Sequence, residues 1–261
     1  LKKQMVDAVG RQFSYAYPPT RIVSLVPGIT ETLFALGLEE QVVGRTRFCK
    51  FPIDKVEKVP AISGTKDINI DRIRALKPDL IIAEKEENTK DIVETLEKEF
   101  PVYVAEIQSV NSALDTIEQL GFILNVRDKA AQLVCSIREQ FHELGKVSRK
   151  RVAYFIWRKP YMVAGRDTYI NSVLTMLGYE NVFTDRDSRY PAVDVKDIQL
   201  ARVDYIFLAS EPFPFSEKHK KELQDIVPDV PVVLVDGEMF WSGAKMLEAA
   251  KYFKNLQKTC P

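Results

Sequence analysis

The residues of this sequence that could do chemistry are mostly aromatic and cationic. Phe48, Trp157, Tyr161, Tyr190, Phe213, Phe240 and Trp241 are interleaved with Arg47, Lys66, Arg158 and Arg166. Aromatic faces stack on large flat or amphipathic ligands, and cations meet carboxylates, amides or phosphates on a ligand's rim. Glu84, Glu86 and Glu211 could serve as bases, but no histidine is placed to help them. His142 falls on the polar side of a predicted helix and His219 in the charged run EKHKKEL, so both read as solvated surface residues. A site for bare zinc or manganese needs several convergent nitrogen and oxygen ligands, which these two cannot supply. Cys49, Cys135 and Cys260 have no CxxC spacing, and Cys135 is expected to be a buried thiol on the apolar side of a helix. There is no GxSxG, GxGxxG or GxxxxGK[ST] motif.

Two further acids stand out because the chain states nearly the same phrase twice. Residues 69–84 read NIDRIRALKPDLIIAE and residues 195–210 read VKDIQLARVDYIFLAS. Asp71 opens a short amphipathic stretch in the first copy and Asp197 in the second. A second acid, Asp79 or Asp204, then precedes a wholly apolar run. Each copy predicts a short helix feeding a buried parallel strand. An acid at a helix start is favoured by the helix dipole whatever else it does.

The elements that must position these residues alternate. Strands are predicted at 22–26, 42–45, 80–83, 102–105, 152–157, 205–209 and 232–235, separated by helix-periodic stretches. Most are apolar on both faces, as strands of a covered parallel sheet are. The expected fold is α/β: two Rossmann-like lobes with mainly parallel sheets, an N-terminal lobe over 1–125 and a C-terminal lobe over 149–261. Between them the apolar positions Val126, Ala130, Leu133, Val134, Ile137, Phe141, Leu144 and Val147 step by three or four, which predicts one long connecting helix over 126–148. The lobes echo each other again in GITETLFALG and DTYINSVLTMLG, each a helix ending at Leu-Gly, where glycine suits a left-handed cap. A duplicated lobe is the reading of both echoes. In such sheets ligands bind at the carboxyl ends of strands, and most of the residues named first stand there.

Bulk properties exclude some classes. Lys plus Arg and Asp plus Glu are both 37, so a nucleic-acid partner is not expected. The apolar runs fall far short of the roughly 20 residues of a membrane helix. Residues 1–20 contain no continuous apolar core, so no signal peptide is expected within them.

The motifs VDAVGR (6–11), RIVSLVPGITETLFALG (21–37), ISGTKDINIDRIRALKPDLII (62–82) and YPAVDVKDI (190–198) together resemble the helical-backbone solute-binding proteins of ABC importers. These serve vitamin B12, ferric siderophores and haem, and the likeness runs from about Val6 to about Leu256, nearest the vitamin B12 branch. The resemblance implies a monomeric receptor without catalytic cofactor, holding a metal chelate in an interlobe cleft. Cobalamin comes first, and a ferric siderophore or haem is the alternative. It implies delivery to an ABC permease dimer, small lobe motions about a rigid helix, and a periplasmic or cell-surface location. Phe48 and Tyr190 match positions of ligand-side aromatics in the B12 branch. Thr65-Lys66 departs from that branch, which has a tryptophan there. The ligand-contacting set expected is Phe48, Lys66, Trp157, Arg158, Tyr161, Arg166, Tyr190, Glu211, Phe213 and Trp241. Asp71 and Asp197 match the acids that dock on permease arginines, with Asp in place of Glu. The competing readings are a cytosolic carrier or sensor on this fold and a chelatase-like enzyme.

Overall fold

All seven predicted strands form in the computed structural model, which describes residues 1–261. The chain divides into two units. The first holds Leu1–Ile107, Asn111–Ser136 and Ser242–Lys245, and the second holds Gln108–Val110, Ile137–Trp241 and Met246–Pro261.

The first unit opens with an antiparallel hairpin, β1 (Lys2–Val6) and β2 (Gln12–Ala16), which sequence reading missed because its apolar residues only alternate. That alternation buries Phe13 and Tyr15 on one face. There follow β3 (Ile22–Ser24), α1 (Pro27–Ala35), β4 (Val42–Thr46), α2 (Ile53–Val56), β5 (Ala61–Ser63), α3 (Ile70–Leu76), β6 (Leu80–Glu84), α4 (Lys90–Leu96), β7 (Val102–Ala105) and α5 (Val110–Ile123). The sheet order is β5-β4-β3-β6-β7, and every pairing is parallel.

Helix α6 (Arg127–His142) begins in the first unit and ends in the second. It is shorter than the periodicity predicts. Gly145 interrupts the run, and Val147 gives its N–H to the Leu177 carbonyl (3.0 Å) instead of to a helical neighbour. Ala130, Leu133, Val134, Ile137 and Phe141 form the buried stripe, while Cys135 lies outside it and is exposed, against expectation.

The second unit contains β8 (Arg151–Trp157), β9 (Tyr161–Val163), α7 (Tyr169–Leu177), β10 (Glu180–Asn181), β11 (Ala192–Val193), α8 (Val195–Ala201), β12 (Tyr205–Ala209), α9 (Glu217–Ile226), β13 (Val232–Val235), a 3₁₀ turn (Gly237–Phe240) and α10 (Lys245–Thr259). Its sheet runs β11-β9-β8-β12-β13. The central pairs are parallel, but β9 and β11 are antiparallel, so this sheet is mixed. The counterpart of β4 is the short β10, which pairs in parallel with the start of β8 and leaves its end to β9. In both units the helix before that strand stops at a Leu-Gly pair, with Gly37 at φ 73° and Gly178 at φ 93°.

The repeated phrase is α3–β6 in one unit and α8–β12 in the other, and in each the strand sits beside the first core strand of its sheet. Asp79 accepts the backbone N–H groups of Thr20 and Arg21 (both 2.8 Å) and the Thr20 hydroxyl (2.9 Å). Arg21 in turn donates to the Leu76 and Lys77 carbonyls at the end of α3. The second unit repeats the device: Asp204 accepts the Arg151 N–H (2.7 Å), and Arg151 donates to the Ala201 and Arg202 carbonyls at the end of α8. Lys77 and Arg202, at φ 48° and 49°, make the same left-handed turn. These contacts set the register of the repeat. Asp79 and Asp204 are 125 positions apart, and on that offset Asn69 and Asp194 are the matching N-caps. Asp71 therefore corresponds to Lys196, and Asp197 to Arg72. The two opening acids are one residue out of step.

Glu84 closes β6 and is buried, 5% exposed. Its carboxylate accepts the N–H groups of Glu86 (2.8 Å), Glu87 (3.0 Å) and Ile107 (3.2 Å), which folds the chain back after the strand. Asn88 completes the turn by accepting the Glu84 N–H and donating to the carbonyls of Leu25 and Thr65. Burial outweighs those bonds and raises the Glu84 pKa to about 7.

Two predictions follow from these contacts. Asp79→Ala should cost about 2 kcal/mol in urea unfolding and Asp204→Ala about 1 kcal/mol, because the first acid accepts three bonds from Thr20 and Arg21 and the second accepts one from Arg151. Equal or negligible losses would contradict the bonding described. Because folding raises the Glu84 pKa, its contribution to stability is complete below the unfolded value and is lost as pH rises through about 7. Wild-type stability should fall, relative to Glu84→Gln, by up to the order of 3 kcal/mol between pH 4.5 and 8. Parallel stability–pH curves for the two proteins would show that Glu84 does not titrate there.

Candidate functional site

In each sheet the chain leaves the first core strand toward one edge and later returns to pair on its other side. The switch points are therefore β3/β6 in the first unit and β8/β12 in the second. Ligand sites form beyond the carboxyl ends of strands at such points.

In the first unit the region beyond these ends is polar and hydrogen-bonded. Asn88 spans it from the β6 end to Leu25 and Thr65. One strand over, Arg47 follows β4 and makes a two-pronged ion pair with Asp67 (2.9 and 3.2 Å). Its guanidinium lies 5.0 Å from the ring of Phe48, which is 44% exposed. Lys66 is exposed beside that pair. Thr65 is buried with its carbonyl held by Asn88, so Lys66 is the residue of the Thr65-Lys66 loop that can reach a ligand. Beneath the site, Cys49 is buried between the hydroxyls of Thr30 (3.1 Å) and Thr46 (3.3 Å), and burial raises its pKa.

In the second unit the switch point is aromatic. Trp157 ends β8 and is 42% exposed, and Phe213, in the loop after β12, meets it edge-on at 5.8 Å. The Phe213 N–H donates to Ile156 (3.2 Å), which holds this loop against the end of β8. Phe213 packs in turn on Phe215 (4.8 Å) and His219 (5.2 Å). Arg158 is bound at both nitrogen–oxygen distances, 2.6 and 2.7 Å, to Glu222 of α9, and Tyr161 reaches the same carboxylate at 3.5 Å. The Arg158 hydrogen bond holds the Glu222 pKa below the usual carboxylate range. Arg158 and Tyr161 thus frame the site through Glu222 instead of standing open as bare donors.

The other expected residues lie apart from that row. Arg166 is half-exposed and faces Asp187 at 3.5 Å. Tyr190 is half-buried, with its N–H on the Ser188 hydroxyl. Glu211 and Trp241 are also half-buried, on loops after β12 and the 3₁₀ turn. Phe240 is core: it is 3% exposed and packs on Tyr154 and Phe253.

Sequence reading missed three members. Asp67 and Glu222 fix the two arginines, and no spacing announces such long-range pairs. His219 is half-buried between Phe213 and Phe215, so only part of its ring is in solvent. Its signal was present, since Ser216-x-x-His219 has the spacing of a capping box.

The two acids at the helix starts differ in their surroundings. The Asp71 side chain is 89% exposed and pairs with Arg74 (2.7 Å), which also holds Glu99. Asp197 is 28% exposed. It accepts the Asp194 N–H (3.1 Å) and the Arg186 guanidinium (2.5 Å), and the backbone bond first, then Arg186, lowers its pKa. Lys196 is exposed at the position corresponding to Asp71, and Leu200 of the same helix is 81% exposed. No group of three or more His, Cys, Asp or Glu side chains gathers as a metal site, and no helix is long and apolar enough to cross a membrane.

Residues 22–233 match the periplasmic binding protein family. A vitamin B12-binding protein of Vibrio vulnificus (strain CMCP6) is 30% identical over 203 residues, which cover 74% of this chain and 72% of that one. An uncharacterized ABC transporter substrate-binding lipoprotein of Bacillus subtilis (strain 168) is 30% identical over 209 residues, covering 74% and 65%. The fold is that of a periplasmic haem-binding protein from Roseiflexus sp. RS-1, with a TM-score of 0.76 at 18% identity over 91% of this chain and 98% of that one. A sheet pair with matched switch points, and a family match across both, lead to one conclusion: this chain belongs to the periplasmic binding protein family and is a binding protein, not an enzyme.

Proposed function

We propose that the chain is the solute-binding receptor of an ABC importer and carries a chelated metal, with a corrinoid such as cobalamin as its first ligand. The observation that carries this reading is the aromatic row Trp157–Phe213 at one switch point, with Arg47, Phe48 and Lys66 beyond the strand ends of the other unit. Exposed aromatics suit a macrocycle's face, and the cations suit the amides or phosphate on its rim. Two histidines and no carboxylate cluster favour a metal that arrives already chelated. The relative that binds vitamin B12 favours a corrinoid, and the haem-binding fold neighbour keeps a tetrapyrrole of the second kind in play. The receptor works as a monomer outside the cytoplasmic membrane or tethered to its surface.

Delivery to the permease is assigned to the first turns of α3 and α8. Asp71 is the acid with the greater exposure and so the better placed to meet a permease cation. Asp197 does so only by giving up Arg186.

Calorimetric titration with cyanocobalamin, haemin and ferrichrome tests the ligand class. One-to-one binding of cyanocobalamin at micromolar affinity or tighter is expected, and no heat with any of the three would end the reading. Trp157→Ala should weaken that binding at least tenfold while shifting unfolding free energy by less than about 1 kcal/mol, because the ring is 42% exposed. Wild-type affinity in this variant would remove Trp157 from the site. Asp71→Lys should leave ligand affinity and thermal midpoint unchanged and cut ligand uptake at least tenfold in cells carrying the cognate importer. Full uptake would separate Asp71 from docking.

A further inference from the structure

One ring at the second unit's switch point has its protonation pattern set by the backbone. His219 is the third residue of α9, and its Nδ1 accepts the N–H of Ser216 at 3.1 Å, with the Ser216 hydroxyl at 3.0 Å. A backbone N–H can only donate, so Nδ1 is unprotonated and the neutral imidazole carries its hydrogen on Nε2. Nε2 has no protein hydrogen-bond partner, and it is not among the buried polar atoms. Glu222, one turn along, forms no hydrogen bond with the ring, and its carboxylate holds Arg158 and Tyr161 instead. The ring stands edge-on to Phe213 at 5.2 Å and Phe215 at 5.7 Å, and Phe213 meets the half-exposed Trp157. A fixed N–H therefore ends an aromatic row at the place where a ligand site forms.

We infer that His219 is a specificity residue of this site, donating its Nε2–H to a carboxylate or amide oxygen on the rim of a flat or macrocyclic ligand that lies along Trp157 and Phe213. The inference deepens the receptor reading above and rests on it. While the Ser216 bond holds, this tautomer offers a metal no free lone pair, because Nε2 carries the hydrogen and the pair on Nδ1 is engaged. His219 selects for the organic periphery of a chelate and not for its metal.

The test exploits the capping position. Glu and Gln are the usual residues three places after a capping serine, so His219→Glu and His219→Gln both keep the Ser216 N–H satisfied and the fold intact. Glu removes the donor and sets a carboxylate against the ligand oxygen, whereas Gln leaves a displaced amide donor. Wild type and variants are titrated with cyanocobalamin, haemin and ferrichrome, and thermal midpoints are recorded alongside. For the probe that wild type binds, His219→Glu should weaken binding by about tenfold or more, and His219→Gln by less, with midpoints unchanged. The imidazole Nε2–H resonance should also shift when that probe is added. If His219 only caps α9, the Glu variant binds as tightly as wild type. That result overturns the inference and leaves the receptor reading standing. A wild-type chain that takes none of the three probes ends the receptor reading, and the inference falls with it.

Discussion

Both sheets depend on a carboxylate that holds the N–H of a neighbouring strand's opening arginine. Asp79 does this for Arg21 and Asp204 for Arg151, and each arginine returns the contact by taking the carbonyls at the end of the helix before the acid. One acid and one arginine thereby join three things: the end of a short helix, the start of a central strand and the start of the strand beside it. The chain repeats its phrase because each sheet must set the same junction. Everything beyond the opposite ends of those strands takes its position from that register.

The ends themselves have diverged. In the first unit the switch point is crossed by amide and carboxylate bonds from Asn88 and Glu84, which shape a polar loop. In the second the same place holds Trp157, Phe213 and His219. The antiparallel β9, laid along the end of β8, brings Tyr161 to Glu222, which it shares with Arg158. The two units share the strand-and-helix junction and differ in the side chains at their switch points, polar in the first and aromatic in the second. The same divergence reaches α3 and α8, where Asp71 and Lys196 occupy matching positions with opposite charge.

The core strands were legible because apolar runs such as Leu80–Ile82 and Ile206–Leu208 have no other stable place than a covered sheet. The β1–β2 hairpin was not, since alternating polar and apolar residues over so short a stretch give little signal. Helix periodicity placed α6 but not its end, which a tertiary bond from Val147 and a glycine decide. Repeat reading found the phrase yet paired Asp71 with Asp197, because it matched residue type. The caps Asn69 and Asp194 set the true offset. At the site, the exposed aromatics Phe48 and Trp157 were visible as residues just past strands. Their partners were not: Asp67, Glu222 and His219 act through contacts that span distant segments or through a cap, and only the cap leaves a trace in spacing.

The central proposal is that the ligand lies on the strand-end surface at the second unit's aromatic switch point. Amide hydrogen exchange, measured with and without saturating cyanocobalamin, addresses it most directly. Slowed exchange should appear in 157–161 and 211–219, with the β1–β2 hairpin unchanged. Protection that leaves 157–161 and 211–219 untouched, or that is centred on the hairpin, would contradict the account.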